Sequence, residues 1–183
     1  SCYFPKSLSE IVKGLRYKPE KYIFISTCSV YDNEARQEVL RDENAPILLC
    51  DNIQKEDTSV QTYGHRKAES ERVLRQSDLN YIILRPALVY GPQDPTDRFY
   101  YWLYQVKNNK GLFLPESGLR KFSVTYVQDI VNSICSLLSP EISRETFNIV
   151  SSPETCILEI VRSSSDLLKT EHLAMNVNAD FLI

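Results

Sequence analysis

Two short apolar runs, YIFIS at 22–26 and YIILR at 81–85, constrain this chain most. A strand with one wet face alternates apolar and polar residues, whereas a strand covered on both faces does not. Runs this short are strands rather than buried helices, so both read as buried members of a parallel sheet, with 22–26 as a central strand. Helical patterns lie between and around them. Residues 7–16 (SLSEIVKGLR) set Leu8, Ile11, Val12 and Leu15 on one face before Pro19 ends the pattern. Residues 63–76 (YGHRKAESERVLRQ) are dense in strong helix formers. Further on come an aromatic-rich helix at 97–108, short strands at 112–114 and 122–124, a helix at 127–138, a strand at 147–150 and a last helix at 155–168. Strands alternating with helices predict an α/β fold.

Composition supports one globular unit with a core, since 43% of the 183 residues are hydrophobic and 25% charged. The formal net charge of -3 gives no broad attraction to nucleic acid or to an anionic membrane, so nucleic acid is disfavoured and a small-molecule substrate is the expected partner. The five cysteines (2, 28, 50, 135 and 156) are dispersed, without the spacing of a zinc site, and suit a reducing, cytoplasmic setting. The opening SCYFPKSLSEIVKGL lacks a signal-peptide apolar run, and no stretch approaches membrane-spanning length. His65 and His172 stand alone, and no metal is expected. Only five glycines occur, none at the spacing that cradles a dinucleotide or nucleotide phosphate. Residues 32–61 are mostly polar and read as a long connection of the kind that lines sites.

Tyr63 and Lys67 stand at i and i+4 in a helical context and project from one face. Spacing alone proves little, because Tyr17 and Lys21 repeat it around a proline that makes a regular helical turn there improbable. Context separates the two pairs. Tyr63/Lys67 follows a strand ending in the hydroxyls of Ser26 and Thr27 and precedes a strand that runs into Arg85-Pro86.

The segments YIFISTCSVY (22–31), TYGHRK (62–67), YIILRPALVYGP (81–92), VTYVQDIV (124–131) and FNIVSS (147–152) resemble, in order and spacing, the landmarks of extended short-chain dehydrogenase/reductases, the NAD-dependent epimerase/dehydratase family. The resemblance implies a partial Rossmann-like, doubly wound parallel sheet with a small C-terminal substrate-binding portion: residues 1–92 as the C-terminal half of an NAD(P)-binding domain and 93–183 as the substrate portion, interleaved with the last strand and helices. It implies NAD or NADP as cofactor and a small polar or sugar-like substrate. Thr27 takes the place of the residue that polarises a substrate oxygen, and Tyr63 that of the acid/base. A free phenol keeps its proton to about pH 10, so exchange near neutrality needs the ammonium of Lys67 close by. Lys67 would also meet the nicotinamide ribose. Pro86, Ala87 and Leu88 match a loop laid against the nicotinamide, where open α/β sheets place ligands, and Arg98 would face substrate.

Asp32 stands where the family usually has glycine, and Cys28-Ser29 replace the acidic pair of sugar-nucleotide dehydratases, which disfavours dehydration. The glycine-rich strand–helix units of the family are absent from this sequence, so the chain is expected to be incomplete for cofactor binding. Two other readings stay open. One is a non-catalytic binding or regulatory module, since relatives on this scaffold bind RNA or respond to cofactor. The other is a piece that associates, as a homo-oligomer or with another chain, through an open sheet edge. Arg98 and the aromatics at 100–102 admit packing as readily as substrate contact, Thr27 admits a capping role, and Asp129, in a helical first turn, reads as structural.

Overall fold

The computed structural model describes residues 2–32, 40–108 and 111–170, and the backbone of 174–177. In chain order the first elements are α1 (Pro5–Gly14), β1 (Tyr22–Ile25), a 3-10 turn (Cys28–Val30), α2 (Tyr63–Gln76), β2 (Tyr81–Pro86) and β3 (Leu88–Tyr90). Then follow α3 (Tyr100–Lys107), β4 (Leu112–Pro115), β5 (Phe122–Tyr126), α4 (Val127–Ser136), β6 (Glu145–Ile149), β7 (Ser152–Thr155), α5 (Ile157–Leu168) and β8 (Ala174–Val177). Two compact units result, one of residues 1–87 with 129–149, the other of 88–128 with 150–183.

In the first unit, β1, β2 and β6 form a parallel sheet in that order. Successive side chains of a strand point to opposite faces, and here both faces are covered. On one, Phe24, Tyr81 and Ile83 pack with Leu8 of α1 and Leu74 of α2. On the other, Ile82 and Leu84 pack with Leu137, Ile23, Ile25, Phe147 and Ile134 of α4. This double covering is the physical reason the apolar runs do not alternate. β2 is buried at every residue, whereas β1, expected to be central, is an edge strand of the described sheet and only partly buried. An apolar run reports the covering of its faces, not the occupancy of its edges.

The second unit carries parallel β3–β5 with β7 antiparallel on β5, and parallel β4–β8. Its core is Val106 of α3, Leu112 and Leu114 of β4 and Val161 of α5. Helix α2 falls on the residues expected for it, but β3, β7 and β8 were not legible as strands: their runs are short, and Pro153 and Glu154 in β7 are exposed. No described helix is long and apolar enough to cross a membrane.

The Tyr17/Lys21 pair resolves as scaffold. Tyr17 is exposed outside any helix, and the Lys21 ammonium donates to the carbonyls of Leu137 (2.8 Å) and Ser139, just past the end of α4. A cation there satisfies carbonyls left without helical partners and complements the helix dipole. Lys21→Met is expected to destabilise the protein by about 1 kcal/mol while Tyr17→Phe changes nothing; urea unfolding of both variants checks this.

Candidate active site

Helix α2 is polar in sequence yet buries Gly64, Arg66, Lys67, Ala68, Ser70, Glu71 and Leu74. Its polar side chains bind the long connection that precedes it. The Thr62 hydroxyl lies 3.2 Å from the carbonyls of both Asp57 and Ser59, Arg66 donates to the same two carbonyls, and Arg72 Nη2 donates to Leu48 O at 2.5 Å. His65, which stood alone in the sequence, pairs through Nδ1 with the Leu49 carbonyl. His172 lies outside the described residues.

Across from α2, β1 runs out into the buried residues Ser26 and Thr27, just beyond the strand. Thr27 caps the 3-10 turn: its Oγ1 accepts from the Ser29 N–H at 3.1 Å and its hydroxyl lies 3.2 Å from Ser29 Oγ. The cap is thus of the 3-10 turn, whereas the alternative weighed from the sequence is a cap of the strand end. Helix and turn meet at Gly64. A Cβ built there would overlap the backbone carbonyl oxygen of Ser29 and come within 3.0 Å of Leu48 Cδ1. Glycine is required by close approach rather than by dihedral freedom, and the approach packs the first turn of α2, which Tyr63 opens, against the turn that Thr27 caps. The Tyr63 ring lies 6.1 Å from that of Tyr3.

Lys67, one turn along, is only 2% exposed. Its Nζ donates to Ile25 O at 2.6 Å and to Cys2 O at 3.2 Å, and lies 4.3 Å from the Phe24 ring centre. Burial pushes its pKa down to about 8, against the opposing influence of Cys2 and Glu71. Two carbonyls leave the ammonium one further N–H to donate.

Sequence reasoning missed the group beneath these residues. Glu71, a turn beyond Lys67, is wholly buried and receives the Arg85 fork, Nε to Oε1 at 2.9 Å and Nη2 to Oε2 at 2.6 Å, with Ser26 Oγ donating to Oε1 at 2.6 Å. Arg85 Nη1 donates to the Tyr31 hydroxyl at 2.9 Å, which donates in turn to Asn148 Oδ1 at 2.6 Å on β6. Hydrogen bonds and charge from Glu71 outweigh the desolvation of Arg85 and raise its pKa. The sequence did carry a signal, since an arginine closing the apolar run YIIL needs a buried partner.

The remaining expected residues are distributed differently. Pro86 is the last residue of β2, paired with Ile149, and Ala87 alone separates it from β3, which Leu88 begins; the expected loop is a one-residue joint between two strands. Leu88 and Arg98 belong to the second unit, where Arg98 is exposed with Nε donating to Thr96 Oγ1 at 3.0 Å. Thr27, Tyr63, Lys67, Pro86 and Ala87 share the first unit. Cys28 donates to Arg85 O at 3.1 Å, and burial, with Glu43 and Glu71 adding to it against Arg85, pushes its thiol up to about 11, which leaves it inert near neutrality. No group of potential metal ligands occurs among the described residues.

A parallel sheet covered on both faces, with a tyrosine–lysine helix packed on the carboxyl end of one strand, defines a Rossmann-type α/β fold. Residues 7–149 match the NAD dependent epimerase/dehydratase family, and the chain belongs to it. The chain is 26% identical over 155 residues to the dTDP-D-glucose 4,6-dehydratase of Mus musculus, covering 82% of this chain and 40% of that protein. It is 27% identical over 136 residues to the chloroplast stem-loop binding protein of 41 kDa b of Arabidopsis thaliana, covering 72% and 32%. Among solved structures it superposes on the UDP-glucuronic acid 4-epimerase of Bacillus cereus, in complex with UDP-glucuronic acid and NAD, with a TM-score of 0.75 at 21% identity, over 94% of this chain and 54% of that one. That likeness is one of fold. The chain spans about a third to about half of the length of these relatives.

Gly64→Ala is expected to cost about 2 kcal/mol, because a backbone carbonyl cannot rotate away, whereas Gly14→Ala, with open space around it, is neutral or stabilising; urea unfolding compares them. Lys67 generates a pH signature. Its folded pKa lies below the unfolded value, so between about pH 8 and 10.5 the unfolded chain binds more protons and stability rises with pH. Measured against Lys67→Met, which cancels the opposite contribution of Cys28, the gain across that window is on the order of 3 kcal/mol.

Proposed function

We propose that this chain supplies the proton-transfer side of an NAD(P)-dependent oxidoreductase or epimerase acting on a small polar or sugar-like substrate. The observation that supports the reading is the close approach of Gly64, next to Tyr63, to the turn capped by Thr27, with the low-pKa Lys67 amine buried one turn along the same helix. Family membership and the sugar-nucleotide relatives support it. In this reading residues 1–92 serve the cofactor and 93–183 the substrate.

The donor set suits the nicotinamide end of NAD(P). The remaining N–H of Lys67 would meet a ribose hydroxyl, and Pro86 and Ala87 at the end of β2 would flank the ring. Among the described residues no glycine-rich strand–helix turn is present to hold the pyrophosphate, so the fit extends to that end alone. The cofactor, when bound, exchanges hydride with the substrate. The protein's part is the proton. Thr27 orients the substrate oxygen through its hydroxyl, and Tyr63 Oη holds or releases the proton. The charge of Lys67 favours the phenolate at that moment. An ammonium with a pKa of about 8 is mostly charged at pH 7, and loss of its proton is expected to limit activity on the alkaline side.

The binding-module reading rests on one relative named for stem-loop binding. A net charge of -3 weighs against it.

The test is NAD(P)H turnover by the full gene product over a panel of sugar nucleotides, with and without Tyr63→Phe. The variant is expected to lose at least about 100-fold in kcat while nucleotide binding, followed by fluorescence, is unchanged. Equal turnover rejects the assignment.

A further inference from the structure

We propose that Glu71 is a positioning residue of this site: clamped between Ser26 and the Arg85 fork, its carboxylate fixes the register of α2 against the end of β1 and holds the charged Lys67 amine in place. This rests on the proton-transfer reading of Tyr63 and Lys67.

Two consecutive residues at the end of β1 engage two consecutive turns of α2. The carbonyl of Ile25 accepts from Lys67 at 2.6 Å, and the hydroxyl of Ser26 donates to Glu71 at 2.6 Å. A slip of α2 by one residue would break both bonds. The bracket is rigid because Glu71 cannot swing away: both its oxygens are held by Arg85, and both residues are essentially excluded from water. Arg85 in turn is braced by Tyr31 and by the Glu43 carbonyl at 3.1 Å. Helix α2 is thus pinned at two heights, by steric contact at Gly64 and by the carboxylate at Glu71, and Lys67 lies between them.

The groups facing Lys67 are Cys2 and Tyr3 from the segment before α1, Phe24 from β1, and Glu71 on its own helix. Glu71 is the carboxylate among them and favours the charged amine. Glu71→Gln removes that charge and leaves the Arg85 cation unbalanced, and both changes push protons off Lys67. If the pair merely glued elements together, its loss would loosen the packing and let the Lys67 pKa drift up toward its ordinary value.

The experiment is a 13C NMR titration of the Lys67 side chain in the full gene product, assigned with Lys67→Met, which needs neither substrate nor cofactor. Wild type is expected to titrate near pH 8, Glu71→Gln at least about half a pH unit lower, roughly a three-fold loss of proton affinity, and Glu71→Asp, which keeps the charge, close to wild type. Because Glu71→Gln strands a buried cation and risks misfolding, Ser26→Ala is the second variant. It removes one hydrogen bond, and it is expected to raise amide exchange in the first turns of α2 without lowering the midpoint of thermal unfolding by more than a few degrees. An unchanged or raised Lys67 pKa in folded Glu71→Gln, or unaltered exchange in Ser26→Ala, overturns the proposal. Failure of Tyr63→Phe to affect turnover would instead sink the catalytic reading and leave these titrations standing.

Discussion

The buried pair of Glu71 and Arg85 is the constraint on which the first unit depends, because it ties helix α2 to the three strands of the sheet through one buried polar cluster. The carboxylate comes from α2 and the guanidinium from β2, while Ser26 adds the end of β1 and Tyr31 relays to Asn148 on β6. A buried ion pair contributes little net stability against a well-packed apolar replacement, but deleting one partner costs about 3–5 kcal/mol. Its value lies in direction. Apolar side chains tolerate sliding, whereas a two-oxygen, two-nitrogen fork accepts one alignment.

Backbone acceptors, together with that pair, accompany the burial of a helix as polar as α2. A core made of Leu74 and Ala68 alone would not draw in Lys67 and Arg66. Backbone carbonyls take donors of both, Ile25 and Cys2 from Lys67 and Asp57 and Ser59 from Arg66 Nη1, while Arg66 Nε is buried without a hydrogen-bond partner among the described residues. Backbone acceptors of this kind replace water without adding an opposing charge. The amine therefore remains ionisable while its proton affinity falls.

What the sequence made legible follows from which interactions are local. The helix 63–76 and the runs at 22–26 and 81–85 could be read because helix-former density and unbroken apolar stretches are properties of neighbouring residues. The edge position of β1, the division after Ala87 and the short strands β3, β7 and β8 depend on partners far along the chain, and local pattern is silent about those. For the site, the order of landmarks singled out Tyr63 and Lys67 over Tyr17 and Lys21. The supporting residues went unseen, because the bond from Ser26 to Glu71 spans 45 positions and that from Tyr31 to Asn148 spans 117. Arg85 left a signal that goes unused in the sequence reading, a charge at the end of YIIL that calls for a buried partner.

The contact at Gly64 is lopsided in what it demands of the two residues that make it. The atom pressing on Gly64 is the backbone oxygen of Ser29, which every amino acid possesses. Mutational tolerance is therefore unequal across a single contact: position 29 can vary in side chain without relieving the crowding, and position 64 has no second choice that leaves it unchanged. Drift in this protein would show as freedom in the turn and immobility in the helix, with no compensating exchange between them. Covariation, which depends on one side chain answering another, would not record this approach.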